Sequence, residues 1–149
     1  MLFQISLIIF SFIFMEIVAF LSHKYIMHGF LWNWHKDHHQ SVRKRFYRND
    51  LFVLLFASPA ILVMLVSQIF PQMKNLIFVG IGITLYGFVY SLVHEVLIHR
   101  RFGSSPSFRN PYLRAILKAH LVHHRSRDKD ADGPFGLLIV SPKYFKKQS

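Results

Sequence analysis

The chain has 149 residues, enough for one domain, and is 52% hydrophobic with a formal net charge of +11. It contains no cysteine, which excludes disulfides, thiolate zinc sites, iron–sulfur clusters and thiolate-ligated haem, so any metal must be held by nitrogen or oxygen. The apolar residues lie in long blocks rather than short periodic runs, which predicts a membrane protein and assigns the basic charge to a membrane face rather than to nucleic acid.

The first block, Leu2–Leu21, is interrupted only by Gln4, Ser6, Ser11 and Glu16. As a helix it is ~30 Å long, the thickness of the hydrocarbon layer. No positive region or small-residue cleavage site marks it as a removable signal, so it is expected to stay. The second span is expected over about residues 51–70, with Pro59 as a kink. A short turn, Pro71–Asn75, leads to a third span over about 76–93, where Gly80, Gly82 and Gly87 predict close helix contact. Gly80-Ile81-Gly82 sits mid-span with no preceding strand and is no nucleotide fingerprint. Of the 18 Lys and Arg residues, 17 fall in 22–50 or after the third span. That bias predicts a cytoplasmic face made of 22–50 and 94–149, with the N-terminus outside.

On that face, Tyr112–His124 reads as a short amphipathic helix carrying Leu113, Ile116, Leu117 and Leu121 on one side, an interfacial cap. Gly133-Pro134-Phe135-Gly136 reads as a turn before a short apolar segment. Lys143-Tyr144-Phe145-Lys146-Lys147 suits a headgroup surface. The predicted class is therefore an all-α integral membrane domain over 1–149: three long spans and a helical cap.

All ten histidines belong to four clusters. His23 and His28 form an H-x4-H pair, and His35, His38 and His39 form H-x2-H-H. His94 and His99 repeat the first spacing; His120, His123 and His124 repeat the second. In a helix i, i+3 and i+4 share a face, so each triplet is expected to aim three imidazoles at one point. An i, i+5 pair lies ~140° apart on an α-helix and needs a frayed end or a π-bulge to converge. Imidazole suits iron, zinc, copper and nickel. Ten exceed a four-ligand structural zinc site and match two octahedral metals with five nitrogens each. A metal-sequestering tract and bis-histidine haem are the competing readings. Transporters, however, place polar ligands near mid-membrane, whereas these histidines sit at span ends or beyond.

The clusters resemble those of the integral-membrane fatty acid hydroxylase and desaturase superfamily. Within it, nearly the whole chain is similar to bacterial β-carotene hydroxylases. The likeness is carried by Met15-Glu16, by His23-Lys24-Tyr25-Ile26-Met27-His28-Gly29, and by Trp32-Asn33-Trp34-His35-Lys36-Asp37-His38-His39. It continues through Asn49-Asp50-Leu51, His94–His99 with Arg100, Tyr112-Leu113, Ala119-His120, His123-His124 and Phe135-Gly136. Two departures stand out. Glu95-Val96 replaces the usual Asp-Gly after the first histidine of the third cluster, and the following proline is displaced to Pro106. The resemblance implies a di-iron centre (zinc as a substitute) that uses O2 to hydroxylate the β-ionone ring, giving zeaxanthin by way of β-cryptoxanthin. A fatty acyl or sterol oxygenase shares the same metal ligands, and a non-catalytic metal-binding or transport protein is the reading from another class.

Around the histidines, Glu16, Asp37, Asp50 and Glu95 are candidate supports for ligand N–H groups. Glu16, an ionisable residue inside a span, is expected either to support the site or to bridge helices. Trp32, Trp34, Phe30 and Tyr25 are expected as pocket lining or as an aromatic belt. Without cysteine or a nucleotide motif the chain should draw electrons from an external ferredoxin and an NAD(P)H-linked reductase. Arg43-Lys44-Arg45 and Arg125-Ser126-Arg127 would attract an acidic donor, or anionic lipid.

Overall fold

The computed structural model describes residues 1–40, 46–103, 109–125, 129 and 133–146. Helix α1 spans Leu2–Leu21 and runs on as a π-helical segment, Ser22–Phe30, that ends at the non-helical Gly29. A short α2, Trp32–His35, follows. Helix α3 is Leu51–Ile69, α4 is Leu76–Ser91 with a second π-helical segment at Leu92–Ile98, and α5 is Pro111–Arg125. Three continuous helical stretches, Leu2–Phe30, Arg48–Ile69 and Leu76–Ile98, are long and apolar enough to cross a membrane. This is an all-helical membrane architecture, with no strand among the described residues.

The polarity of the bundle is the reverse of a soluble protein's. Leu54, Leu62 and Phe88 are 62–69% exposed, while Ser11, Glu16, Ser67 and most of the histidines are buried. Such a surface is stable only where the surrounding medium is itself apolar. The span serines Ser11 and Ser67 are satisfied on their own helices: Ser11 donates to the Leu7 carbonyl at 2.7 Å and Ser67 to that of Met64 at 2.6 Å. Pro59 lacks the N–H that would reach the Leu55 carbonyl, and the Ser58 hydroxyl donates there instead, at 2.9 Å. Helix α3 accordingly runs through the proline as one element.

Helix α4 is central and packs against both α1 and α3. A Cβ at Gly82 would collide with Ser11 and the Ile8 backbone on α1. One at Gly80 would come within 2.5 Å of Met64 on α3. Gly87 has nothing within 4 Å of such a Cβ. Only two of the three glycines expected to permit close contact therefore do so.

The end of α4, α5 and the C-terminal segment close over Val93, Ile116 and Leu137. Asn110 caps α5, its side-chain oxygen accepting the Tyr112 and Leu113 N–H groups at 2.8 and 3.3 Å, with Pro111 as first helical residue. The buried face is Ala115, Ile116, Ala119, His120 and His123, whereas Leu121 is 52% exposed. The inward face is thus rotated from the leucine stripe toward the histidines. In the short apolar segment after Gly136, Leu137 is buried in that core.

Candidate metal centre

The two H-x4-H pairs converge because the helices change winding where they fall. The His99 N–H donates to the His94 carbonyl at 3.0 Å, a bond reaching back five residues. The ring centroids are 4.6 Å apart for His94 and His99, and 5.1 Å for His23 and His28. Beyond His99, Arg100 takes a left-handed conformation (φ 51°), and the Arg101 N–H returns to the Glu95 carbonyl. That turn lays the Arg101 guanidinium between Glu95 and Asp50.

The ten imidazoles form two groups of five. One is His23, His28, His35, His39 and His123; the other is His38, His94, His99, His120 and His124. In each, one nitrogen per ring lies within 4.8 Å of all the others. Each half of the chain supplies four rings to its own group and one to the other, with His38 and His123 crossing over. The triplets therefore do not aim at one point. The i and i+4 rings stay together, and the i+3 ring diverges.

The donor chemistry fits a cation in each group. His23 Nδ1 lies 2.8 Å from the Phe135 carbonyl, and His35 Nδ1 lies 2.6 Å from Asn49 Oδ1. Both are acceptors, so each Nδ1 carries the hydrogen and each Nε2 presents a bare lone pair. Those two Nε2 atoms face each other at 3.1 Å. His28 is the same case: Nδ1 is 3.0 Å from the Lys129 carbonyl and Nε2 3.2 Å from His123 Nε2. In the second group Glu95 takes the His94 Nδ1–H at 2.7 Å, and His94 Nε2 faces His38 Nε2 at 3.1 Å. Facing lone pairs repel unless an electrophile lies between them. Adjacent ligands of an octahedral ion with metal–nitrogen bonds of about 2.1 Å are about 3.0 Å apart, the spacing seen here. Burial keeps His35, His38, His99, His120 and His124 neutral. It holds His35, His38 and His120 well below the ordinary imidazole range, His99 down to about 3 and His124 down to about 2, with neighbouring imidazoles adding to the effect.

A model of the fatty acid hydroxylase family matches residues 8–141. The chain belongs to the fatty acid hydroxylase family. It is similar to the beta-carotene hydroxylase of Pantoea ananas, 39% identical over 128 residues that cover 86% of this chain and 72% of that one. With the beta-carotene hydroxylase of Pseudescherichia vulneris it shares 38% identity over 140 residues, 94% and 78% of the two chains. With the chloroplastic beta-carotene 3-hydroxylase 2 of Arabidopsis thaliana it shares 36% over 127 residues, 84% of this chain and 41% of that one. No solved structure matches. Membership makes the chain a membrane hydroxylase, and its histidine groups are compatible with a metal site.

Of the four carboxylates expected behind the ligands, Glu95 is bonded to an imidazole. Asp50 pairs with Arg101 and caps the Tyr47 N–H at 3.0 Å, and Asp37 accepts the Arg48 N–H at 2.8 Å. Glu16 accepts the Leu137, Leu138 and Ile139 N–H groups at 2.9, 2.9 and 3.0 Å and the Tyr86 hydroxyl at 2.6 Å. Sequence reasoning placed Asn49 and Phe135 in motifs without a task. The first holds His35 and the second, through its carbonyl, His23.

A cavity of about 520 Å³ runs from His35 and His94 toward mid-span between α1, α3 and α4. Met15, Ala19, Phe52, Ala60, Ile83 and Tyr90 are among the residues that line it, and Asp50, Glu95 and Arg101 lie at its histidine end. Val53, Ile61, Gly87 and Phe88 both line it and are exposed, so it opens sideways through the lipid-facing flank between α3 and α4. The four aromatics expected as pocket lining or as an aromatic belt do not line it. Trp32 packs on His28 and His39, Trp34 on Phe52, and Tyr25 and Phe30 point outward. Arg43–Arg45, Ser126, Arg127 and Pro106 lie outside the described residues.

Proposed function

We propose that the chain hydroxylates the β-ionone ring of carotenoids, converting β-carotene through β-cryptoxanthin to zeaxanthin, with two irons held by the ten histidines. The observation that carries the reading is the apolar cavity, open to lipid at one end and closed by His35 and His94 at the other. A substrate dissolved in the bilayer reaches such a site without crossing water. The relatives' activity on β-carotene supplies the substrate class.

Two irons in these groups would supply the reductive activation of O2, with zinc as a substitute in some preparations. In balance, a ring C–H and O2 with two electrons and two protons give C–OH and water. The chain's own residues do the rest. Asn49, Glu95 and the carbonyls of Phe135 and Lys129 fix which nitrogen each of His35, His94, His23 and His28 turns inward. Phe52, Ile83 and Tyr90 hold the ring and keep water from the reacting carbon.

With no cysteine in the chain, the electrons come from an external ferredoxin and an NAD(P)H-linked reductase. Arg125, exposed at the end of α5, would meet an acidic donor, and the run Arg43-Lys44-Arg45, outside the described residues, adds basic charge in the sequence. The site then lies at the cytoplasmic face of the inner membrane, with the N-terminus outside. Expression in cells that make β-carotene, followed by pigment chromatography, tests the assignment. Zeaxanthin and β-cryptoxanthin are expected. Unchanged β-carotene with iron bound and reductant present would overturn it in favour of a fatty acyl or sterol substrate. Metal without substrate-dependent O2 uptake would indicate a non-catalytic binder.

A further inference from the structure

We infer that Glu16 is a positioning residue for the metal group of His23, and that it acts through the segment Gly133–Ile139. The inference rests on the dimetal reading above.

Glu16 lies on α1, five residues before the helix ends at Leu21, and is buried. A carboxylate there is costly unless its lone pairs are filled. They are filled from two places: three consecutive N–H groups, Leu137 to Ile139, converge on Oε1, and the Tyr86 hydroxyl, from α4, takes Oε2. Every one of these contacts is donated to the carboxylate. The backbone gains equally. An irregular segment packed against a membrane helix has no water for its N–H groups and must find acceptors in the protein. The close approach requires glycine at 136, where a Cβ would lie 2.9 Å from Glu16 Oε1.

What the anchored segment does next is specific. Its Phe135 carbonyl accepts the His23 Nδ1–H. The Phe135 ring packs on His23, His28 and His123 at centroid distances of 5.5, 5.3 and 5.3 Å. Gly133 lies against His123, with 3.2 Å between an added Cβ and its Cα. All three rings belong to the first group. Among the described residues, no ring or hydrogen-bond contact joins Gly133–Ile139 to the five rings of the second. The carboxylate thus sets the height and rotation of Phe135, and Phe135 sets which way the His23 lone pair points.

The test is the full-length protein in nanodiscs loaded with iron-57, read by Mössbauer spectroscopy and by iron release to a chelator. Glu16→Gln keeps the size but turns an NH2 toward donors. It is expected to change one of the two iron doublets and to weaken one iron of the two by about 10–100-fold, leaving the other as in wild type. Glu16→Asp should recover part of the effect. Gly136→Ala pushes the segment off an intact Glu16 and should reproduce the one-site change, which decides the matter if Glu16→Gln fails to fold. Two unchanged doublets, or both irons weakened equally, would overturn the inference. A wild-type protein without two histidine-held irons would overturn the dimetal reading beneath it, a result that is told apart because it needs no variant.

Discussion

Gly87→Leu should stabilise the fold and impair the reaction. Gly87 lies two turns beyond Gly80 on the face of α4 turned toward α3. At Gly80 that face touches Met64, whereas at Gly87 it borders the cavity and an added Cβ meets nothing within 4 Å. Replacing a mid-helix glycine by leucine contributes about 0.8–1.0 kcal/mol of helix propensity, and no clash opposes it. The leucine branches, however, enter the space the substrate needs. A carotenoid arrives from lipid rather than water, so apolar transfer contributes little to its binding, and steric fit decides. Overpacking costs about 1–3 kcal/mol, which corresponds to a loss of about 5–150-fold in kcat/KM. Thermal unfolding in detergent and pigment conversion in a β-carotene-producing host measure the two sides. A variant that melts at or above the wild-type temperature yet converts little pigment is expected. Wild-type turnover would refute the cavity as the substrate site, and a lowered melting temperature would refute the open space around Gly87.

The same helix gives the contrasting case: Gly82→Ala drives a Cβ into Ser11 and the Ile8 backbone and should cost about 1–3 kcal/mol, seen as a lower melting temperature. Asn49→Ala strands the buried His35 N–H, at a cost of about 1–3 kcal/mol. Metal at the first group should bind about 10–100-fold more weakly, and chelator competition that found both metals unaffected would count against the Asn49 bond. His38→Ala should empty the group built around His94 rather than that of its sequence neighbours, as a site-resolved iron spectrum would report. In metal-free protein, His99 and His124 are held down to about 3 and about 2. The unfolded chain then binds protons that the folded one refuses. Their contribution to stability is full above the ordinary imidazole pKa near 6.5 and falls away as pH drops toward 3. Apo-protein melts across pH 7 to 4 should fall steadily, and a flat profile would contradict buried neutral rings.

What was legible in the sequence was the set of local rules. Apolar blocks of membrane length marked α1, α3 and α4. The H-x4-H spacing demanded a change of winding, and the π-helical segments fall on both pairs. The apolar spacing over Tyr112–His124 marked α5, which is Pro111–Arg125. What was not legible depends on partners distant in sequence. Glu16 meets Leu137 across 121 residues, and no pattern near Glu16 signals it. The inward face of α5 keeps Leu113 and Ile116 of the apolar stripe but turns Leu121 out in favour of the histidines, because the rings must reach a site that other elements build.

The divergence of the triplets has a simpler cause. His38 and His39 are adjacent in a run of turns closed by bonds reaching back three residues, so their side chains leave the backbone about 120° apart. When two metal sites lie side by side, that angle carries neighbours to different groups, and the same holds for His123 and His124. A single site would need no adjacent pair, since i and i+4 already share a face. In the dimetal reading, the doubled histidine at the end of each triplet would be the sequence mark of two groups that share a wall. It also means that neither half of the chain completes a group without a ring from the other. Metal at either group would hold α2 against α5, and removing His38 or His123 would loosen that contact as well as one site.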